Sequence, residues 1–164
     1  MAIDQQARTL LAQSTRWLVG ARITNYQFDD AIPKSDDPAI REIYGQFLWL
    51  LYCDLREHRL TGSDSLAPAQ RDVATRCVLF LKSGLPYPWP TLSRPMSALL
   101  TLGNLLTLGL AGRIYFHRLS AAGDMTFWPF LSASQYSAAL DSPVYLSGVG
   151  ANNSFKPTPL RGAA

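Results

Sequence analysis

Asp37-Pro38-Ala39-Ile40-Arg41-Glu42-Ile43-Tyr44-Gly45-Gln46-Phe47-Leu48-Trp49-Leu50-Leu51-Tyr52-Cys53-Asp54-Leu55 is the stretch on which the fold turns. Asp37 is a good N-cap, and Pro38 suits a first helical position because proline has no amide hydrogen to leave unpaired there. Ile40, Ile43, Tyr44, Phe47, Leu48, Leu51 and Leu55 then recur at three- and four-residue spacing, an unbroken apolar stripe. Trp49, Leu50 and Tyr52 widen the stripe to most of the circumference. The pattern predicts a central helix, packed on more than one side and ending near Leu60, with Thr61-Gly62-Ser63-Asp64 as the turn.

Further helices extend outward from it. On the N-terminal side, Ile3, Ala7, Leu10, Leu11, Ser14, Trp17 and Leu18 predict a helix over 3–19, with Asp4 at its start and Gly20 as its stop. Residues 21–37 have a loop composition. On the C-terminal side, Pro68 opens a helix whose inner face is Val73, Cys77, Phe80 and Leu81, with Asp72 and Arg76 spaced to pair across one turn and Gly84 as C-cap. Pro86, Pro88, Pro90 and Pro95 then exclude regular helix.

Residues 96–111 carry no charge and are rich in leucine, and Arg94 and Arg113 bracket eighteen uncharged residues. A transmembrane helix needs about 20 apolar residues. Thr101, Asn104 and Thr107 inside this run favour a buried core helix over a single span through 96–112. Either that helix continues through Arg118, or residues 114–117 pair with 125–128 as a small β-hairpin. Pro129 stops what precedes it, and Ser132 or Ser134 can cap a short helix through Leu140. The expected fold is mainly α: one helical domain over 1–150, about five helices with proline- and aromatic-rich loops, then a disordered tail over 151–164. Val144, Tyr145 and Leu146 are expected to dock back onto the core.

The chain has 164 residues, 48% apolar and 16% charged, with a net charge of +3. Two of its cations, Lys156 and Arg161, lie in the tail, so residues 1–150 carry 13 basic and 12 acidic groups. There is no basic block, and the acid-free stretch from Lys82 to Gly123 holds only Arg94, Arg113 and Arg118 between its ends, which argues against nucleic acid as a partner. The two cysteines, Cys53 and Cys77, lie among apolar neighbours in predicted helices and read as reduced core residues. The N-terminus shows no signal peptide, and the expected location is cytoplasmic.

Two constellations invite a functional reading. Asp54, Glu57 and His58 follow the central stripe and, in a helix, would share one face, as an acid–base set needs. No zinc spacing accompanies them, so neither a metal nor any other cofactor is expected. The competing reading is a solvated last turn in which Arg56, His58 and Arg59 meet the negative helix end. The second constellation is Tyr87-Pro88-Trp89-Pro90 with Phe127-Trp128-Pro129-Phe130. Tyr87, Trp89 and Trp128 would form either an apolar binding surface or, the preferred reading, a cover over the core. Nucleophile motifs, phosphate loops and a dinucleotide fingerprint are absent, and no catalytic residue is assigned.

The last residues, Asn152-Asn153-Ser154-Phe155-Lys156-Pro157-Thr158-Pro159-Leu160-Arg161-Gly162-Ala163-Ala164, resemble the tail of proteins encoded by bacterial integron gene cassettes, where the reading frame runs on into the recombination site. This resemblance concerns genetic context and implies no activity. The run Leu51–Leu60 and Trp128-Pro129-Phe130 distantly resemble small bacterial helical proteins, and no functional residue is carried over from them. The sequence thus points to a soluble accessory protein, a protein-binding or neutralising (immunity-like) helical module with a protein partner or a second copy of itself. The alternatives are a small enzyme using Asp54, Glu57 and His58, and a single-span membrane protein.

Overall fold

A computed structural model describes residues 3–91 and 94–141. Its elements are α1 (Gln5–Val19), α2 (Asn25–Asp30), α3 (Pro38–Gln46), α4 (Pro68–Ser83), α5 (Arg94–Leu106), α6 (Leu110–Ala122) and α7 (Ala133–Asp141). Short 3-10 turns occupy Leu48–Leu51, Gly62–Asp64 and Met125–Phe127. No strand occurs among the described residues, so the expectation of a mainly α fold holds. The alternative hairpin over 114–128 is instead the latter part of α6 and a 3-10 turn. The strand preference of Ile114-Tyr115-Phe116 is overridden once Leu110 and Ala111 start a helix in front of it. The C-terminal tail, with Val144, Tyr145 and Leu146, lies outside the described residues.

Helix α1 packs along α4, with α3 against both and α7 on the outer side of α4. The periodicity that predicts these helices also selects their inner faces. Leu11, Ala12 and Leu18 of α1 meet Ile40 and Ile43 of α3 and Cys77, Phe80 and Leu81 of α4 in one apolar core. Phe80 lies edge-on to Phe130 at 5.2 Å, an arrangement that suits the opposed charge of ring face and ring edge. The expected ends of α1 and α4 and the expected cap of α7 are found. Asp4 accepts from the Ala7 amide at 2.9 Å, and Gly84 takes the left-handed conformation (φ 69°) that closes α4 without strain. Ser132 accepts from Gln135 ahead of α7. The loop expected over 21–37 contains the extra helix α2, capped by Thr24 and Gln27 in a reciprocal capping box.

One feature of α1 is absent from its apolar pattern. Arg8 is 1% exposed and lies inside the core. Its Nε and Nη2 donate to the two carboxylate oxygens of Asp37 at 2.6 and 2.9 Å, and Nη1 donates to the Leu85 carbonyl. Asp37 also accepts from the Asp4 and Ala39 amides, so a single carboxylate caps α3 and holds α1 against it. Burial alone would raise the Asp37 pKa. The hydrogen bonds from Arg8, Asp4 and Ala39 outweigh burial and hold it below its ordinary value.

The central helix is shorter than expected. α3 ends at Gln46, and Phe47 leaves helical geometry at φ −131°. The tighter 3-10 turn lets Phe47, Leu48 and Leu51 all reach the core, while Trp49, Leu50 and Leu55 remain exposed. The chain beyond it is shaped by buried Asn25. Its amide group donates to the Cys53 and Arg56 carbonyls at 2.9 and 3.1 Å, and its Oδ1 accepts from the His58 amide at 2.8 Å. These bonds replace the i to i−4 bonds a helix would supply. Cys53 is accordingly half-buried in a loop rather than a helical core residue, whereas Cys77 is buried and both are free. Arg76 donates to the Trp128 carbonyl at 3.1 Å and does not pair with Asp72.

The uncharged run 96–112 is not a core helix. It breaks at Thr107-Leu108-Gly109 into the antiparallel pair α5 and α6, which pack chiefly on one another.

Candidate functional site

Asp54, Glu57 and His58 do not form an acid–base set. They sit on the Asn25-organised loop, where the backbone is not helical and the shared face does not exist. Glu57 Oε1 accepts from the Thr24 hydroxyl at 2.6 Å, and the Asp54 carbonyl accepts from Tyr26. His58 Nδ1 lies 3.3 Å from the Arg56 carbonyl. No group of three or more His, Cys, Asp or Glu side chains among the described residues is placed to hold a metal ion. The solvated last turn is corrected too, since there is no helix end here to meet.

Tyr87, Trp89 and Trp128 are covered rather than displayed. Trp89 is buried and its Nε1 donates to the Pro129 carbonyl at 2.9 Å. Trp128 Nε1 donates to the Tyr87 hydroxyl at 3.1 Å. Burial pushes the Tyr87 phenol well above its ordinary pKa. The proline-rich segments thus roof the end of α4, in line with the preferred reading, and leave no aromatic binding surface there.

An aromatic row that the stripe pattern concealed runs across the 3-10 turn. Trp49 stacks on Tyr52 with ring centroids 5.6 Å apart, Tyr26 follows at 5.9 Å, and Tyr44 meets the Trp49 edge at 6.2 Å. Tyr44 donates to Asp29 Oδ1 at 2.9 Å. Burial, followed by the hydrogen bond to Asp29, pushes its pKa up to about 12. The rings fill the space between one another, so this is an acidic-edged aromatic wall and not a cage.

Two grooves run between paired helices. One of about 540 Å³ lies between α1 and α4, with Val19, Val78, Leu79 and Leu140 in its apolar wall and Arg16 and Lys82 at its edge. Burial and then Arg16 lower the Lys82 pKa. The other, about 300 Å³, lies between α5 and α6 and is lined by Met96, Leu99, Leu100, Ile114, Tyr115 and Arg118.

The hairpin is the anomalous surface. Met96, Leu99, Leu102, Leu105, Leu106, Leu108, Leu110 and Ile114 are all more than half exposed. At roughly 100 Å² each they exceed the ~300–600 Å² of the largest apolar patch on an ordinary monomer. Exposure is greatest at the tip, with Leu105 at 75%, Leu106 at 74% and Leu108 at 97%. Leu108 also holds φ 49°, in the left-handed region that Gly or Asn enters at lower cost. A strained, fully exposed leucine contributes nothing to the fold around it.

The hairpin's polar side chains, Asn104 and Thr107, are exposed but bond to its own backbone. Asn104 Oδ1 accepts from the Gly112 amide at 2.9 Å, and a Cβ on Gly112 would stand 2.7 Å from that oxygen. The Asn104 carbonyl accepts from Gly109, and the Gly103 carbonyl from both the amide and the hydroxyl of Thr107. Thr107 in turn accepts from Ala111 and Leu110. The sequence does carry a signal for this turn: Gly103, Gly109 and Gly112 interrupt the leucine run where helices cross closely.

No helix among the described residues is long and apolar enough to cross a membrane. Comparison with known protein families, with curated proteins and with solved structures gives no match.

Proposed function

We infer that this chain is a helical interaction module that works by docking, with the α5–α6 hairpin as its contact arm and the α1–α4 core as the carrier. The observation behind this reading is the set of eight exposed apolar side chains on the hairpin, greatest at the tip, beside a core that is complete without them. Exposed apolar surface of this extent marks an interaction site in a natural protein. The protein-binding or neutralising role expected from the sequence takes a narrower form, in which contact runs through the hairpin instead of Tyr87, Trp89 and Trp128.

The test is sedimentation of the tagged full chain from gently opened host cells. The wild type is expected in particles much larger than one copy, and Leu105→Glu/Leu108→Glu at the size of one copy. A wild type that sediments as a single chain sinks the reading.

A further inference from the structure

We propose that the hairpin docks on a membrane, entering one leaflet of an anionic bilayer from the side without crossing it. This rests on the docking reading and names its occupant. Four observations support it.

Exposed leucines point in several directions at the tip, with Asn104 and Thr107 exposed between them and bonded to the turn. Leu105 and Leu106 are neighbours on one helix, about 100° apart around its axis, and Leu108 and Leu110 follow across the turn. A protein partner covers one face of a helix, whereas the acyl boundary of a bilayer takes apolar side chains that point in several directions.

Charge is graded in the same direction. From Pro95 to Gly112 no residue is charged, and Arg113 and Arg118 are exposed further back on α6. No acidic residue occurs between Lys82 and Asp124. Cations set behind an apolar end reach phosphate headgroups while the leucines enter the acyl region. A second copy offers a poorer match. Two hairpins side by side bring arginines together without a carboxylate, and the acidic aromatic wall has no charge at the tip to meet.

Polar satisfaction supplies the third observation. In water the amides of residues 107–112 need no internal partner, yet Asn104 accepts from Gly109 and Gly112, and Thr107 from Leu110 and Ala111. In hydrocarbon each unpaired backbone group costs several kcal/mol, so internal pairing is the requirement for entry. The close approach of Gly112 to Asn104 matches the small-residue packing by which helices associate in lipid.

Length is the fourth. Each arm has 13 residues. At 1.5 Å per residue an arm spans ~20 Å, short of the ~30 Å hydrocarbon core. With Arg113, the fourth residue of α6, held at the headgroups, the turn and its leucines enter one leaflet to the ~5–10 Å of an interfacial element.

Flotation of the full chain with vesicles tests this directly, using phosphatidylcholine alone and phosphatidylcholine with about a quarter phosphatidylglycerol. The wild type is expected to float with both, about ten- to thirtyfold more tightly with the anionic vesicles, the contribution of two arginines near the surface. Leu105→Glu/Leu108→Glu is expected to float with neither, and Arg113→Gln/Arg118→Gln to lose the preference for anionic lipid. Leu108→Trp should show a blue shift of its added fluorescence on vesicle addition. The thermal melt of each variant checks that it is folded.

A wild type that does not float, or flotation unchanged by Leu105→Glu/Leu108→Glu, overturns the proposal. If the wild type fails to float yet sediments as a dimer that the same double substitution returns to one copy, the docking reading stands and its occupant is a second copy. If it neither floats nor sediments as an assembly, both readings fall.

Discussion

The α1–α4 body and the α5–α6 hairpin are both helical and both rich in leucine, but they use apolar side chains in opposite ways. In the body, Leu11, Ile43, Leu48, Phe80 and Phe130 are fully buried or nearly so, and the charged pair among them, Arg8 with Asp37, is matched bond for bond. No buried side-chain nitrogen or oxygen among the described residues lacks a partner. In the hairpin the leucines face outward, and the exposed Asn104 and Thr107 bond to the hairpin's own backbone. Apolar content therefore does not distinguish a core helix from a contact arm. What packs against the apolar side chains does: Leu11 and Ile43 are enclosed by the fold, whereas Leu105 and Leu108 are left uncovered.

The largest expected difference between the regions is at Arg8. Arg8→Met leaves the Asp37 carboxylate buried without its partner and should destabilise the chain by about 3–5 kcal/mol in a denaturant titration near neutral pH. Acid sharpens the point. The folded-state pKa of Asp37 is depressed, so its contribution is present above the unfolded value and is lost as pH falls through the folded one. The gap between wild type and Arg8→Met should narrow below about pH 4. A gap that is constant across that range would remove Asp37 from the account.

A smaller and local effect is expected inside the hairpin. Asn104→Ala removes the acceptor for the Gly112 amide, and a hydrogen bond of this kind is worth about 0.5–1.5 kcal/mol. Hydrogen exchange of that amide should speed up about two- to tenfold while α1 and α4 keep their protection. Loss of protection across the whole chain would show that the two regions unfold as one. The smallest effect belongs to the tip. Leu105→Glu/Leu108→Glu should change the stability of the free protein by no more than about 0.5 kcal/mol, as surface substitutions do. A larger loss would mean that the tip is part of the core and would break the contrast.

Individual residues show how far the sequence reaches. Asp37-Pro38, Asp4 and Gly84 locate helix ends because their effects are local: a cap, a missing amide hydrogen, a left-handed residue. The inner faces of α1 and α4 follow from spacing for the same reason. The stripe beyond Phe47 misleads because its periodicity continues where the backbone does not. The cause lies 28 residues away, in the bonds from Asn25 to the Cys53 and Arg56 carbonyls, and these undo the shared face of Asp54, Glu57 and His58. Glycines 103, 109 and 112 mark a break in the leucine run, but nothing local says that the resulting hairpin faces away from the body.

The sequence by itself determined the helical class, the ends of α1, α4 and α7, the start of α3, and the absence of a recognisable catalytic motif, since these depend on neighbours within a few positions. The tertiary structure alone decided that Arg8 is buried on Asp37 and that the most leucine-rich segment is outside, and it chose between the two readings of Trp89 and Trp128. Burial is a property of what packs against a surface, and that partner is set by the path of the whole chain.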